Sequence, residues 1–177
     1  MEELIEAILS KMSDYPSIPR LFIEHTKHIL TDRKCGHYYN TIIGNPSDVV
    51  KGIGDLFQEV EEYLKISPED LLKQSSFNMN DYDTSKIPSL FAELRAILYL
   101  RNEGFDNVQF LKDSKRRCAD LIATKDGLKY AIEVTNAGYQ ANQGYWKHDD
   151  IVFLMNRKLE DEQKYDQLKD TCDKKMR

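Results

Sequence analysis

Apolar residues in the first part of the chain recur at the spacing of amphipathic helices. Between residues 4 and 12 they fall at i, i+1, i+4, i+5 and i+8, which predicts a helix that ends at the proline-containing turn after it. A second helix is predicted from Arg20 to about Asp32. Asn45-Pro46 and Ser67-Pro68 then have the form of helix starts. Residues 1–84 are therefore predicted to form a helical region, in which we identify no chemistry and expect packing or recognition of a protein partner.

The polar stretch at residues 74–86 carries no apolar period and is the best candidate for a linker. After it a helix is predicted from Pro88 to Glu103, since Gly104 supplies the usual left-handed stop. With successive residues placed 100° apart around the helix axis, Glu93 lies beside the apolar stripe of this helix, where a carboxylate is half-buried. Residues 108–111 then predict a short strand that leads into the next apolar segment.

Residues 118–135 have the pattern of a β-hairpin, with two short apolar runs joined by Lys125-Asp126-Gly127. Asp-Gly is a strong turn signal because both central positions of a type I′ turn need a positive φ. A two-residue loop pairs Lys125 with Leu128 and leads back to Asp120 directly opposite Glu133. Alternation then places both acids on one face of the ribbon.

Two carboxylates directly opposite one another in an antiparallel pair repel each other. With their Cβ atoms about 5 Å apart, the repulsion is roughly 3 kcal/mol at an effective dielectric constant near 20. A shared proton or a divalent cation would offset it, because carboxylate oxygens are the ligands that Mg²⁺ prefers. Two other interpretations stay open: a solvated ribbon face on which two acids meet, and a three-residue loop that shifts the register and separates them.

The last part of the chain is predicted to be a long helix that begins at Asp149 or Asp150 and reaches toward the C-terminus. Lys158 lies by angle within its apolar stripe, so its ammonium group is expected to point inward toward the sheet. A loop is predicted before this helix, at residues 136–147. Its aromatic and amide side chains suit base stacking or sugar contacts, and they equally suit the packing of an ordinary loop.

Composition and charge change this picture little. With 41% hydrophobic and 31% charged residues, the chain can bury a core and is not compositionally disordered. It has no apolar run long enough to span a membrane, an acidic start unlike a secretory signal, and three widely spaced cysteines, which together predict a cytoplasmic protein. The net charge of −5 argues mildly against nonspecific nucleic-acid binding. The basic run at residues 112–117 is interpreted either as a solvated face or as a phosphate contact.

Together these residues resemble the PD-(D/E)XK, or restriction-endonuclease-like, nucleases. That family's pattern is an acid on one strand, then acid-x-Lys on the next strand of a hairpin, preceded by a helix that carries a further Glu. Asp120, preceded here by Cys-Ala, resembles the first acid, and Glu133 in Ile-Glu-Val-Thr resembles the second. Glu93 in Phe-Ala-Glu-Leu-Arg-Ala resembles the helix acid. Thr135 stands where the family has its lysine, and the resemblance covers about residues 86–175.

The resemblance implies an α+β or α/β fold. Residues 1–84 would be the helical region, and residues 85–177 a restriction-endonuclease-like αβββα core that lacks the family's last strand. Mg²⁺ or Mn²⁺ is the implied cofactor. The implied metal ligands are Asp120, Glu133, Glu93 and the backbone carbonyl of Val134.

The implied function is metal-dependent hydrolysis of phosphodiester bonds in nucleic acid, with DNA favoured over RNA. Because Thr135 carries no charge, another lysine has to replace the family's lysine, and Lys158 is our prediction ahead of Lys129 and Lys147. The alternative is a nuclease fold that no longer cuts and instead binds nucleic acid or a protein partner. The missing lysine and the negative net charge favour that alternative. The sequence predicts no oligomeric state.

Overall fold

The computed structural model of the chain describes residues 1–33, 36–75, 77–78, 80–81, 86–111, 119–134 and 157–159. The chain divides into two compact units, Met1–Leu94 and Arg95–Arg177. The boundary lies inside a helix, and the domain division predicted after residue 84 stays a prediction. Within the described ranges, no helix is long and apolar enough to cross a membrane.

The described residues form six helices: α1 (Glu2–Ser13), α2 (Arg20–Asp32), α3 (Gly36–Gly44), α4 (Pro46–Leu64), α5 (Pro68–Gln74) and α6 (Lys86–Asn102). All except α3 confirm helices predicted from the sequence, and Gly104 stops α6 with the expected positive φ, 77°. The sequence pattern missed α3 because glycine bounds it at both ends and its aromatic and β-branched residues favour strands. It packs through Tyr38 and Ile42, which are one turn apart and both buried.

Phe22 lies at the centre of an aromatic core in the first unit and is fully buried. Its ring centroid is 5.5 Å from that of Phe57, and 5.9 Å from those of Phe77 and Phe91. Phe77 also packs edge-on against His25 at 4.9 Å. Phe77 belongs to the stretch predicted as a linker, so at this residue the prediction is wrong. A single aromatic residue in a polar stretch has no period that could reveal its packing against the core.

The turn after α1 packs on α4 at Gly54. There is no space for a side chain at this position. A Cβ atom there would lie 2.9 Å from Cγ and Cε1 of Tyr15 and closer still to Cδ1. The buried hydroxyl of Ser17 donates to the backbone carbonyl of Gly54 at 2.9 Å. The missing side chain therefore lets the Tyr15 ring lie directly on the backbone of α4.

α2 receives its N-terminal cap from α5. Its own N-cap residue is Pro19, which offers no side-chain acceptor. Oε1 of Glu69 accepts a hydrogen bond from the backbone N–H of Arg20 at 2.7 Å. A carboxylate at this place also faces the positive end of the helix dipole. The contact joins the beginning of α2 to the first turn of α5.

The second unit contains an antiparallel sheet of β1 (Asp106–Phe110), β2 (Leu121–Lys125) and β3 (Leu128–Ile132), which β4 (Arg157–Leu159) extends at the β3 edge. The strands lie in chain order, and each pairs antiparallel with its neighbours. Helices followed by an antiparallel sheet confirm the coarse prediction of an α+β fold.

Residues 157–159 form a strand, so the prediction of a helix through Lys158 is wrong at these residues. Lys158 pairs with Tyr130 and Arg157 with Ala131. The outer side of β3 presents a row of N–H and C=O groups, which a further strand satisfies and a helix does not. Three residues are also too few to distinguish a period of 3.6 from a period of 2. The rest of the predicted helix lies outside the described residues.

Lys125 joins the turn end of the hairpin to the end of α6. Its Nζ donates to the backbone carbonyl of Glu103 at 2.6 Å and lies 5.1 Å from the centroid of the Phe105 ring. The last carbonyl groups of a helix carry partial negative charge, so an ammonium group is favourable there. Phe105 in turn packs edge-on against Tyr130, with ring centroids 5.3 Å apart. These contacts anchor one end of the hairpin, and the two predicted acids lie at the other.

Candidate metal centre

The hairpin forms with the predicted turn and, from Leu121 to Ile132, with the predicted register. Asp126 and Gly127 have φ angles of 54° and 73°, the positive values that a type I′ turn requires. The paired residues are Lys125 with Leu128, Ala123 with Tyr130, Thr124 with Lys129, Ile122 with Ala131 and Leu121 with Ile132. The two-residue loop is therefore confirmed, and the interpretation with a three-residue loop is wrong.

The two faces of the hairpin differ in burial as the alternation predicts. Leu121, Ala123 and Ile132 are at most 2% exposed and form the core face. On the opposite face Lys129 is exposed, and the remaining residues are half-buried: Ile122, Thr124 and Ala131. The face assigned to the two acids is therefore the more accessible one.

Asp120 and Glu133 lie directly beyond the last pair of strand residues, Leu121 and Ile132. The backbone N–H of Asp120 donates to the carbonyl of Ile132 at 2.8 Å. Oδ2 of Asp120 accepts a hydrogen bond from the N–H of Val134, also at 2.8 Å. Asp120 is thus hydrogen-bonded to the residue before Glu133 and to the residue after it. The two acids are neighbours across the end of the hairpin.

The two carboxyl groups lie in different environments, since Asp120 is half-buried and Glu133 is exposed. Water around Glu133 lowers the repulsion from the roughly 3 kcal/mol expected above toward about 1 kcal/mol, the value for two charges 5 Å apart in bulk water. The N–H of Val134 also directs its partial positive charge at Asp120. The expected repulsion is therefore small, and it does not by itself demand a cation.

The donor set at this end of the hairpin suits a hard divalent cation. Two carboxylates and the Val134 carbonyl are oxygen ligands, and Mg²⁺ commonly binds through one or two carboxylates while keeping several waters. The exposure of Glu133 gives water access to the site. Among the residues that the structure describes, no group of three or more His, Cys, Asp or Glu side chains is arranged to hold a metal ion. A metal here would depend on two acids together with backbone and water oxygens.

Comparison with known proteins provides no relative for this geometry. No family model, no curated protein and no solved structure matches the chain. The resemblance to restriction-endonuclease-like nucleases therefore rests on the residues of this chain. Among the features on which the resemblance rests, the structure describes the pairing of the two hairpin strands most fully.

Glu93 is more deeply buried than the sequence predicts. It lies on α6 with 4% of its surface exposed, and Leu90 and Leu94 on the same helix are fully buried. α6 is buried on several sides and not along a single stripe, which explains why a residue on the flank is enclosed. Glu93 belongs to the first unit, whereas Asp120 and Glu133 belong to the second. The role of Glu93 as a ligand stays a prediction.

Lys158 lies in a different element from the predicted one. Its partner Tyr130 shares a face with Ile132, because side chains alternate along β3. Ala131 and, by continuation, Glu133 belong to the opposite face. By register, position 158 belongs to the same face as Tyr130. The prediction that Lys158 points toward the acids assumed a helix, and it does not apply to a strand. Its role in catalysis stays a prediction.

The N–H of Val134 is a hydrogen-bond donor to Asp120 that the residue pattern did not reveal. Every residue except proline has a backbone N–H, so no residue type marks this donor, and only the register leads to it. Several other predicted contacts lie outside the described residues. These are the basic run at 112–117, Thr135, and the loop at 136–147 that contains Lys147.

Proposed function

We propose that the chain is a metal-dependent nuclease of the restriction-endonuclease-like type, which hydrolyses phosphodiester bonds in nucleic acid, with DNA as the favoured substrate. The observation that supports it best is the pair of hydrogen bonds that joins Asp120 to both chain neighbours of Glu133. These bonds hold Asp120 beside the backbone of Glu133 at an exposed end of the hairpin. Such a pair offers the oxygen ligands that Mg²⁺ and Mn²⁺ prefer.

In this proposal Asp120 and Glu133 bind Mg²⁺ or Mn²⁺ through their side chains, and Val134 binds it through its carbonyl oxygen. When bound, the cation supplies a Lewis acid that lowers the pKa of water and stabilises negative charge on the phosphodiester. The N–H of Val134 holds the Asp120 carboxylate in place, and the exposed Glu133 leaves the site open to substrate. Thr135 supplies no charge, and the proposal assigns no residue to the role of the family's lysine.

Two conservative substitutions test the proposal. Glu133→Gln and Asp120→Asn each remove one negative charge while keeping the size of the side chain. We expect each to abolish Mn²⁺-dependent cleavage of DNA and to weaken Mn²⁺ binding, measured by calorimetry, by about tenfold or more. The matched control is Asp126→Asn, which removes the same charge at the turn, where asparagine also accepts a positive φ. Cleavage that survives in Glu133→Gln would contradict the proposal.

One observation favours a second function, a nuclease fold that binds nucleic acid or a protein partner without cutting. The Asp120 carboxylate accepts a hydrogen bond from the Val134 N–H, and Glu133 is exposed to water, so both acids have polar surroundings without a cation. In that case the wild-type chain binds labelled DNA or RNA equally well with Mn²⁺ and with a chelator, and it cleaves neither. Fluorescence anisotropy and gel analysis of the same mixtures distinguish this outcome from the first function.

A further inference from the structure

We infer that Asp120 is also a positioning residue for Glu133, an inference that rests on the proposed function of the pair as metal ligands. The ladder between β2 and β3 ends at Leu121 and Ile132, so Glu133 lies beyond the last pair of strand residues. Backbone groups beyond a ladder fray unless another partner holds them. Asp120 provides that partner on both sides of Glu133.

The two hydrogen bonds of Asp120 engage the two peptide groups that flank Glu133. The carbonyl of Ile132 belongs to the peptide group before the Cα of Glu133, and it accepts from the backbone N–H of Asp120 at 2.8 Å. The N–H of Val134 belongs to the peptide group after it, and it donates to Oδ2 of Asp120 at 2.8 Å. Each peptide group is planar, so fixing both of them fixes φ and ψ of Glu133. The direction of its Cα–Cβ bond is thereby restricted.

Only one of these two bonds depends on the side chain at position 120. Asparagine there keeps a side-chain carbonyl oxygen that can accept from the Val134 N–H, whereas alanine has no acceptor. A ligand role by itself predicts that, in the absence of metal, neither Asp120→Asn nor Asp120→Ala changes the exchange of the Val134 amide. A positioning role predicts that asparagine preserves what alanine loses.

Amide hydrogen exchange of the full chain without metal, resolved by NMR, separates these roles. We expect the Val134 amide to exchange about tenfold or more faster in Asp120→Ala than in wild type, and less than about threefold faster in Asp120→Asn. The amides of Leu128 and Tyr130, nearer the turn, report whether the hairpin itself is intact. Asp126→Asn is the matched control and should leave the Val134 rate unchanged.

An unchanged Val134 rate in Asp120→Ala would overturn the inference, and so would an Asp120→Asn protein that exchanges as fast as Asp120→Ala. If Asp120→Ala also speeds exchange at Leu128 and Tyr130, the hairpin itself is disturbed, and the test then uses Asp120→Asn alone. In that protein, a Val134 exchange rate within about threefold of wild type supports positioning, and a larger increase refutes it.

Mn²⁺ calorimetry on the same proteins tests the proposed function, since Asp120→Ala and Asp120→Asn should both bind Mn²⁺ more weakly than wild type. Failure of the wild-type chain to bind Mn²⁺ would contradict the proposed function. The exchange rates are measured without metal, so the two failures are distinguishable.

Discussion

Alanine at Gly54 is expected to destabilise the helical unit, whereas alanine at Gly52, two residues earlier on α4, is expected to stabilise it. Both substitutions remove the penalty of about 1 kcal/mol that glycine imposes inside a helix. Gly52 is exposed, and a Cβ atom there would have nothing within 4 Å. For Gly52→Ala that gain is therefore the whole expected effect.

At Gly54 the new Cβ atom would meet the ring of Tyr15. It would lie 2.9 Å from Cγ and Cε1, whereas carbon atoms in contact stay about 3.5–4 Å apart. Rotation about the Cβ–Cγ bond leaves Cγ in place, so only a change of the χ1 rotamer or of the backbone moves the ring away. That backbone is held, since its N–H donates to Met12 and its carbonyl accepts from Ile18. Overpacking of this kind costs about 1–3 kcal/mol.

The hydrogen bond from Ser17 to the Gly54 carbonyl adds to the loss. Displacing α4 at this point weakens that buried bond, which contributes about 1 kcal/mol. The two losses exceed the helix gain by about 1–3 kcal/mol, so Gly54→Ala and Gly52→Ala should differ by about 2–4 kcal/mol in the free energy of unfolding.

Urea unfolding followed by far-ultraviolet circular dichroism measures this difference. Removing the ring should remove the penalty, so Gly54→Ala should be neutral or stabilising in a Tyr15→Ala background. A Gly54→Ala protein as stable as Gly52→Ala would refute the reasoning. A penalty that persists in the Tyr15→Ala background would show that the ring is not its cause.

Three further changes have expected outcomes. Lys125→Met removes the hydrogen bond to the Glu103 carbonyl and should lower the free energy of unfolding by about 1–2 kcal/mol in a urea titration. Lys129 is exposed, so the control Lys129→Met should change the free energy of unfolding by less than about 0.5 kcal/mol. Glu69→Gln keeps an acceptor for the Arg20 N–H but loses the charge at the start of α2. It should lower stability by about 0.5–1 kcal/mol, and a loss that does not shrink in high salt would contradict the dipole explanation. Because only deprotonated carboxylates bind metal ions, calorimetric Mn²⁺ affinity should fall as the pH is lowered from 7 to 4, and a constant affinity would exclude the acid pair as the ligands.

The hairpin could be predicted from the sequence because its signals are local. Asp126-Gly127 determines the turn, the turn determines the register, and the register determines which residues pair between Leu121 and Ile132. Gly104 determines the end of α6 in the same way. In each case the backbone conformation of one or two residues decided the outcome.

The features that the sequence did not predict depend on contacts between distant residues. Phe77 packs on the aromatic core because Phe22 lies beside it, although its own neighbours in sequence are polar. β4 forms at the free edge of β3, which residues 157–159 do not encode by themselves. Glu93 is buried because α6 is covered on several sides. Periodicity along the chain describes one face of one element, and it does not describe what packs on the others.

A crystal of the full chain soaked in Mn²⁺ tests the central claim, that Asp120 and Glu133 form a metal centre, most directly. The anomalous scattering of Mn²⁺ locates the ion independently of any activity. We predict a Mn²⁺ peak about 2 Å from a carboxylate oxygen of Asp120 and from one of Glu133, at the end of the hairpin. A saturated crystal with no peak there, or with Mn²⁺ bound elsewhere and the two carboxyl groups turned apart, would contradict the claim.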